Sequence, residues 1–351
     1  MVIHSDDWGS IRMPSEKVRV KLNEHSHIKA DNGYTRFDTL ASEEDLEALF
    51  EVLRSVKDKN NNHAVITANC LIANPDFEKI KDADFEKYYY ETLEDTFMRY
   101  QKKEALNLWH QGHHEKLFVP QFHGREHVNV PFWLKLLQEG HKGVHYAFEQ
   151  QVFGVDFFGL PRGQTNFQRA WDFFTPSEEL EIKNIIIDGL NIFQKRFDMI
   201  SRTVIAPNYT WSLIQENVLK NYGVKAMQGM LKQREPMDSI HEGYKYRHRF
   251  TDKKTIHSTN SYQRRNVFFE PSLKPNVDWL NQALGRINIS FKMKKPAIIS
   301  THRINFIGSL VEENRNNNLK DFKLLLQGIL RKWPDVEFMS AAELTTLEGY
   351  K

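Results

Sequence analysis

Cysteine, an excess of charge and long apolar runs are all scarce in this sequence. Cys70 is the single cysteine among 351 residues, so an intramolecular disulfide is excluded. The 48 basic and 46 acidic side chains leave a formal charge of +2, which gives no reason to expect nucleic acid or an anionic membrane as a partner. Because no apolar run approaches the roughly 20 residues of a membrane span, we expect no transmembrane helix.

The chain also has no repeat and no visible leader peptide. Its first apolar run begins at Val2, without the basic and apolar segments of a secretory signal. We therefore expect a cytoplasmic protein, with export after removal of a leader left open. With 40% hydrophobic residues, a chain of this length can bury a substantial core. We expect residues 1–351 to form a single domain, and the sequence leaves the oligomeric state open.

Short apolar segments alternate with longer amphipathic ones along most of the chain. The first kind is typical of buried strands and the second of helices, as in segment 42–56, where a Ser-x-x-Asp start precedes helically spaced apolar residues. This alternation predicts a parallel sheet with crossover helices. About six or seven such units, the last strand lying within 336–344, predict an α/β fold, a single distorted (β/α)7-type barrel. Segments 148–174 and 233–274 are irregular and favour long loops.

The first predicted strand, in "VIHSDDWGS", ends in two adjacent carboxylates, Asp6 and Asp7. Taken alone, they fit a solvated turn or the N-cap of a following helix. At the buried end of a strand, however, adjacent carboxylates repel each other, and burial increases the cost. A divalent cation bound there would remove that repulsion.

Histidines stand at the ends of two later predicted strands. The segment "HGREH" places His123 and His127 at a strand-to-helix junction, and "STHR" places His302 after a late strand. Functional residues of α/β barrels lie at the C-terminal ends of the strands, so these groups can converge. The alternatives without a function are polar loop histidines for the pair and a hydrogen-bonded histidine at the core rim for His302.

Together, these residue types suit metal-assisted hydrolysis. One aspartate and the two histidines make a two-His-one-carboxylate set, which leaves coordination positions open for water and substrate. The second aspartate is then placed to act as a general base beside the cation. His302, on a distant strand end, is the candidate acid that protonates a leaving group.

The order of these motifs resembles that of the NodB-type polysaccharide deacetylases, which are metal-dependent carbohydrate esterases and amidases. Their motifs Thr-Phe-Asp-Asp-Gly, His-Ser/Thr-x-x-His and Leu-x-His are similar to "HSDDWG", "HGREH" and "ISTH" in this sequence. The "DDWG" stretch is also similar to the Asp-Asp-Phe-Gly of the YdjC-type carbohydrate deacetylases, which share the fold and the chemistry. Each motif is short, and the resemblance rests on their order and on their places at strand ends.

The resemblance implies a role for each matching residue. Asp6 would be the base that activates water and His302 the general acid. The metal, most often zinc in this superfamily, would be held by Asp7, His123 and His127. The implied fold is a barrel of about seven β/α units. Candidates for the wall that faces the substrate, all of them equally compatible with ordinary packing, are Trp8, Pro207, Asn208, Tyr209 and Trp211.

Departures from the family pattern concern the surroundings of the base and of the first metal histidine. The third family motif, Arg-x-Pro-x-Gly, supplies an arginine that orients the base, whereas "IAPNYTW" has Ile205 at that place. Arg202, Arg264 or Arg265 could substitute, and the sequence leaves the choice open. Gly124 replaces the usual Ser or Thr after the first metal histidine. The fourth family motif, with Asp and Trp, has no clear match.

The sequence therefore predicts a metal-dependent hydrolase that removes N- or O-acetyl groups from a carbohydrate or polysaccharide, with Zn²⁺ as the expected cation. Two alternatives remain open. The first keeps the barrel and the metal but cleaves an amide in a cyclic or linear substrate that is not a sugar. The second, motivated by the missing motif arginine, is a catalytically inactive carbohydrate-binding barrel.

Overall fold

The structure is a computed structural model and describes residues 1–160, 163–236, 245–250 and 261–348. Its strands are β1 Val2–Trp8, β2 Ile28–Lys29, β3 Ile66–Leu71, β4 Ala73–Pro75, β5 Tyr90–Thr92, β6 Phe118–Gly124, β7 Asp156–Phe157, β8 Thr203–Ile205, β9 Ala226–Gly229, β10 Lys232–Glu235, β11 Lys245–His248, β12 Ser261–Arg264, β13 Val267–Phe268 and β14 Ile298–His302. Its helices are α1 Glu16–Asn23, α2 Gly33–Phe37, α3 Glu43–Arg54, α4 Phe77–Asp82, α5 Leu93–Arg99, α6 Lys103–His114, α7 Val130–Gln138, α8 Lys142–Glu149, α9 Pro176–Phe197, α10 Leu213–Asn221, α11 Trp279–Lys292, α12 Glu312–Lys332 and α13 Ala341–Glu348.

Eight strands form the main sheet, in the order β12-β9-β8-β6-β3-β1-β14-β13. Every neighbouring pair in it is parallel. Helices connect β1 to β3, β3 to β6, β6 to β8, β8 to β9 and β13 to β14, so the predicted alternation of strands and crossover helices is confirmed for most of the sheet. Segment 42–56 shows the local basis: Ser42 and Asp45 form a capping box at the start of α3, whose apolar face is buried.

The two edge strands of this sheet are consecutive in the chain. Only Arg265 and Asn266 separate β12 from β13, and this link can span no more than about 10 Å. The Arg265 N–H donates to Gly229 O on β9, and the Asn266 N–H donates to Ile298 O on β14. The sheet is therefore curled until its edges meet, and β12 and β13 act as one kinked strand. The result is a barrel with seven strand positions in chain order, which confirms the predicted (β/α)7-type fold.

Two details of the sequence prediction are wrong. The segment expected to hold a last strand contains the start of helix α13 instead, because the kinked strand already completes the barrel. Before that helix, the Phe338 N–H donates to an Asp58 oxygen and the Met339 N–H donates to Met1 O. The segment 233–274, expected to be one long loop, contains β10 to β13. Its residues 237–244 and 251–260 lie outside the described part of the chain.

The inside of the barrel is polar toward the C-terminal ends of the strands, whereas the helix-facing side of its strands is apolar. Ile3 and Trp8 of β1 pack with the large apolar cluster between sheet and helices. Inside, the amides of Asn69 and Gln228 bond each other at 2.9 and 3.0 Å, and Gln228 also donates to Thr203 Oγ1 at 2.9 Å. Strand side chains that point into the barrel can therefore be charged at the barrel mouth.

The described helices include none with both the length and the apolar character that crossing a bilayer requires. The expectation of a single domain over residues 1–351 stays a prediction.

Candidate active site

A β-bulge at the end of β1 brings both adjacent carboxylates to the same side of the sheet. Ser5 pairs with Ala68 and Trp8 with Cys70 on β3, so Asp6 and Asp7 together occupy the space of one residue. Asp7 takes a left-handed φ of 73°. Adjacent strand residues normally point to opposite faces, and the bulge removes that alternation. Asp6 and Asp7 both line one cavity, which explains how two successive residues can serve one site.

A second bulge lies opposite, at the end of β6. Cys70 pairs with Phe122 and Leu71 with Gly124, so His123 is the extra residue. Gly124 has φ 139°, and a Cβ there would lie 3.2 Å from Glu126 O and 3.3 Å from a Leu71 methyl carbon. The backbone geometry therefore requires glycine at this position, which explains the departure from the Ser or Thr of the family motif.

Asp7, His123 and His127 converge at the barrel mouth. Their potential ligand atoms all lie within 4.8 Å of one another, and all three residues are buried. The Asp7 Oδ1 atom is 3.3 Å from His123 Nε2 and 3.5 Å from His127 Nε2. His123 Nδ1 is 2.9 Å from Ile205 O, a contact that fixes the Nδ1–H tautomer and leaves Nε2 as the lone-pair donor. The group fits a divalent cation.

Protonation in this group also favours metal binding. Burial lowers the pKa of His127 to about 3, in spite of the nearby Asp7 carboxylate, so the imidazole is neutral at pH 7. Burial opposes ionisation of Asp7, but the Arg12 guanidinium holds the pKa of that carboxyl well below its usual range. A neutral imidazole and an ionised carboxylate are the ligand forms that a cation requires.

Asp6, the predicted base, is held by an arginine from the kink between β12 and β13. Arg265 Nη1 and Nη2 each donate to one Asp6 oxygen at 2.6 Å, and Asn69 Nδ2 donates to Asp6 Oδ1 at 2.7 Å. Burial opposes ionisation of Asp6, but Arg265 keeps its pKa far below the usual range. Of the three arginines that the sequence left open, Arg265 makes this contact, and it comes from β12–β13 rather than from the strand that carries the family motif.

His302, the predicted acid, faces Asp6 from the end of β14 and is oriented by a glutamate. Its Nδ1 is 2.7 Å from Glu270 Oε1, and its Nε2 is 3.7 Å from Asp6 Oδ2. Burial alone would lower the pKa of His302, but Glu270, Asp6 and Asp7 together raise it to about 9. The imidazole is therefore protonated at neutral pH, with its Nε2–H directed away from Glu270.

The cavity around these groups has a volume of about 460 Å³. Among the predicted wall residues, Asn208 and Tyr209 line it, whereas Trp8, Pro207 and Trp211 do not. Trp8 and Trp211 are both buried in the apolar cluster. For Trp8 the reason is the β1 bulge, which turns the residue after Asp7 toward the helices. The Tyr209 N–H donates to Ala206 O at 3.0 Å, so it is engaged within its own turn. Gly154, Ile205 and Ala206 add an apolar part to the wall. Its other members are polar: Arg12, Asn32, Tyr34, Asp156, Asn166, Gln168 and Arg234.

The other two arginine candidates lie elsewhere. Arg202 precedes β8 and is exposed, beside a cavity at the opposite end of the barrel. Arg264 is half-buried beside another cavity next to α11, because successive residues of β12 point to opposite faces.

Sequence reasoning missed Glu270 and Arg12. Glu270 stands two residues after the end of β13 in "NVFFEP", so the strand-end rule that identified His302 could also have identified Glu270. Arg12 donates to Asp7 Oδ2 at 2.8 Å from the loop after β1, and no local signal in the sequence marks it. Its position depends on contacts with distant parts of the chain.

Comparison with solved structures supports the fold. A structure from Parabacteroides distasonis, provisionally assigned as a glycoside hydrolase/deacetylase, aligns at TM-score 0.53 and 8% identity, covering 99% of this chain and 70% of its own. A 4-alpha-glucanotransferase from Thermococcus litoralis aligns at TM-score 0.46 and 9% identity, covering 99% of this chain and 39% of its own. A provisionally assigned polysaccharide deacetylase from Mycobacterium smegmatis aligns at TM-score 0.40 and 8% identity, covering 86% and 76%.

At these identities the likeness concerns the fold alone. The chain has the barrel fold of the glycoside hydrolase/deacetylase structure, and a buried Asp/His/His group at its mouth could hold a metal ion. Comparisons with protein-family models and with curated proteins gave no match.

Proposed function

We infer that this protein is a metal-dependent hydrolase that removes acetyl groups from a carbohydrate. The observation that carries the proposal is the arrangement at the barrel mouth. A buried Asp/His/His group, an arginine-held carboxylate and a protonated histidine line the same cavity. Metal-assisted hydrolysis of an acyl bond uses a Lewis acid, a base and an acid, and these groups could supply the three functions at one place.

Asp7, His123 and His127 would hold the cation, and Zn²⁺ suits two imidazoles with one carboxylate. When bound, it would polarise the acetyl carbonyl and acidify the attacking water.

The protein side chains account for the two proton transfers. Asp6 is ionised, and Arg265 and Asn69 fix its direction, so it can accept a proton from water as the new C–O bond forms. His302 carries a proton on Nε2 and can donate it to the departing sugar nitrogen or oxygen as the acetyl C–N or C–O bond breaks. Glu270 binds Nδ1 of the same ring and holds the imidazole in the orientation needed for donation.

The cavity wall suits a carbohydrate. Asn32, Asn166, Gln168 and Asn208 present amide groups, and Tyr34 and Tyr209 present aromatic rings with hydroxyls. Amides can both donate to and accept from sugar hydroxyls, while aromatic rings can cover the apolar faces of sugars. A volume of about 460 Å³ accommodates a small number of sugar units.

The test is release of acetate from N-acetylated and O-acetylated oligosaccharides by the zinc-loaded protein. We expect Asp6→Asn to lower acetate release about 100-fold or more while zinc stoichiometry is retained, because it removes the base and leaves the ligands. Asp7→Ala should lose both zinc and activity. Glu312→Gln, at an exposed helix start, is the matched control and should behave as wild type.

Other outcomes would contradict the proposal. Zinc retained by Asp7→Ala, or acetate release unaffected by Asp6→Asn, would remove the assigned roles. Hydrolysis restricted to non-sugar amides would favour the amidohydrolase alternative. Sugar binding in calorimetry without turnover, with zinc, cobalt or manganese supplied, would favour an inactive carbohydrate-binding barrel.

A further inference from the structure

Arg12 lies in the wall of the active-site cavity, and both of its terminal nitrogens donate to side chains of the protein. Nη2 donates to Asp7 Oδ2 at 2.8 Å and Nη1 donates to Gln168 Oε1 at 2.6 Å. Its Nε lies 3.3 Å from Asp38 Oδ2. The residue is only 9% exposed. Through these two hydrogen bonds, Arg12 joins Asp7 to the cavity wall at Gln168.

The two oxygens of Asp7 are divided between different partners. Oδ1 is the atom near His123 Nε2 and His127 Nε2, whereas Oδ2 accepts the charge-assisted hydrogen bond from Arg12. A carboxylate can bind a cation through one oxygen or through both. With Oδ2 held by a guanidinium, Asp7 offers the cation a single oxygen.

Arg12 is itself fixed by a buried chain of charges. Asp38 lies 3.3 Å from Arg12 Nε and also accepts from Arg303 Nε at 2.9 Å and from Arg303 Nη2 at 3.3 Å. Asp38 and Arg303 are fully buried. Moving Arg12 away from Asp7 would leave the Asp38 carboxylate under-compensated in the interior, which is costly. The same chain connects Asp7 to the strand end that carries His302, the residue before Arg303.

We propose that Arg12 is a positioning residue that restricts Asp7 to one-oxygen coordination and so keeps a coordination position open for water and substrate. The inference rests on the proposed metal-dependent function. Three protein ligands that each give one atom leave an open position in a catalytic site. A two-oxygen Asp7 would fill that position and remove the place where the carbonyl or the water binds.

Arg12→Met tests the proposal through Co²⁺ as a spectroscopic probe. We expect the variant to bind one Co²⁺ per chain, as wild type does, because all three ligands remain. Its visible absorption bands should change in position and weaken, since freed Oδ2 raises the coordination number. Turnover should fall about 10–100-fold in kcat at retained zinc stoichiometry. Arg12→Lys, which keeps a cation beside Asp7, should restore much of the wild-type spectrum.

The matched control is Arg315→Met, which removes an arginine that pairs with the buried carboxylate of Asp45, a residue outside the cavity. Its Co²⁺ spectrum and kcat should equal those of wild type. An unchanged spectrum in Arg12→Met, or complete loss of Co²⁺ binding, would overturn the proposal, because Arg12 would then either leave coordination unaffected or be required for it.

A crystal structure of zinc-loaded wild type tests the same point without a variant. We expect the zinc at about 2.0–2.2 Å from Asp7 Oδ1, with Oδ2 still bonded to Arg12 and outside ligand distance. Two-oxygen coordination would overturn the inference and leave the proposed function intact. If wild-type crystals grown with zinc held no zinc at Asp7, His123 and His127, the proposed function itself would be overturned.

Discussion

At the scale of single residues, the adjacent carboxylates Asp6 and Asp7 are stabilised by separate guanidinium groups. Arg265 holds Asp6 through both oxygens, and Arg12 holds Asp7 through Oδ2. Each pair is buried, so its attraction is weakly screened. The sequence argument that adjacent buried carboxylates require a cation is therefore incomplete, because two arginines already offset most of the repulsion. The candidate metal site rests on the convergence of Asp7 with the two histidines.

The charge on His302 gives the first residue-scale prediction. Because its pKa is raised to about 9, the proton needed for donation is present at neutral pH and is lost as the pH rises through that value. Glu270→Gln removes the charge that contributes most to the increase. We expect the pKa of the imidazole to fall by about one pH unit or more, measured by NMR titration of the metal-free protein.

In the zinc-loaded enzyme, the alkaline limb of the kcat profile should shift to lower pH in Glu270→Gln by a comparable amount. Bound zinc would lower the His302 pKa in wild type and variant alike, so the two profiles are compared at equal occupancy. Glu312→Gln serves as the exposed control and should leave both the titration and the profile in place. Identical titration curves for Glu270→Gln and wild type would show that Glu270 does not charge the histidine.

At the scale of secondary-structure elements, the ends of β1 and β6 depart from regular strands where the candidate ligands lie. Each carries a bulge, at Asp6–Asp7 and at His123, and each bulge is followed by a glycine with positive φ, Gly9 at 89° and Gly124 at 139°. Such irregularities re-aim side chains at a barrel rim. The chemistry of the site therefore depends on local departures from strand geometry.

Gly124→Ala tests that dependence. A Cβ would lie 3.2 Å from Glu126 O in a backbone region that alanine rarely adopts. We expect the free energy of unfolding of the metal-free protein to fall by about 1–3 kcal/mol, and zinc affinity to fall because His123 is displaced. Denaturant titration and calorimetry measure the two effects.

Gly285→Ala is the matched control, since a Cβ there has no atom within 4 Å and lies inside α11. It should raise the free energy of unfolding by about 0.4–1 kcal/mol. Equal stabilisation by the two substitutions would contradict the strain argument.

Much of the fold followed from local patterns, whereas the details of the site did not. Capping signals and apolar spacing predicted helices such as α3, and strand-end polar residues predicted Asp6, Asp7 and His302 as a group. The bulges, the Arg12 contact and the choice of Arg265 depend on strand register and on residues distant in the chain. A local reading of β12 and β13 as loop failed because they are only four and two residues long.

At the scale of the whole molecule, the kinked strand closes the barrel and also delivers Arg265 to the first strand. Arg265 thus bonds two strands of the barrel: its backbone N–H donates to Gly229 O on β9, and its guanidinium pairs with Asp6 on β1. Its side chain is fully buried, so the residue that takes part in barrel closure through its backbone also holds the Asp6 carboxylate through its guanidinium.

Arg265→Met should therefore lower the free energy of unfolding by about 3–5 kcal/mol, because it leaves the buried Asp6 carboxylate without its main partner. Denaturant unfolding of the metal-free protein measures the change. Combining Arg265→Met with Asp6→Leu should recover much of the loss, since the unpaired charge is then removed. Arg36→Met, at an exposed pair with Asp31, should change stability by less than about 1 kcal/mol. A loss no greater than in Arg36→Met would contradict this role.

The bulge in β1 also sets how the site tolerates changes in chain length. Deleting one residue between Ser5 and Trp8 would restore regular pairing with β3, and one remaining carboxylate would face the barrel with no second one beside it. The single remaining aspartate could not serve as proposed base and proposed metal ligand at once, so removal of one residue would disable both functions together. Related chains with this chemistry should therefore conserve the spacing of this segment more strictly than the identity of its flanking residues.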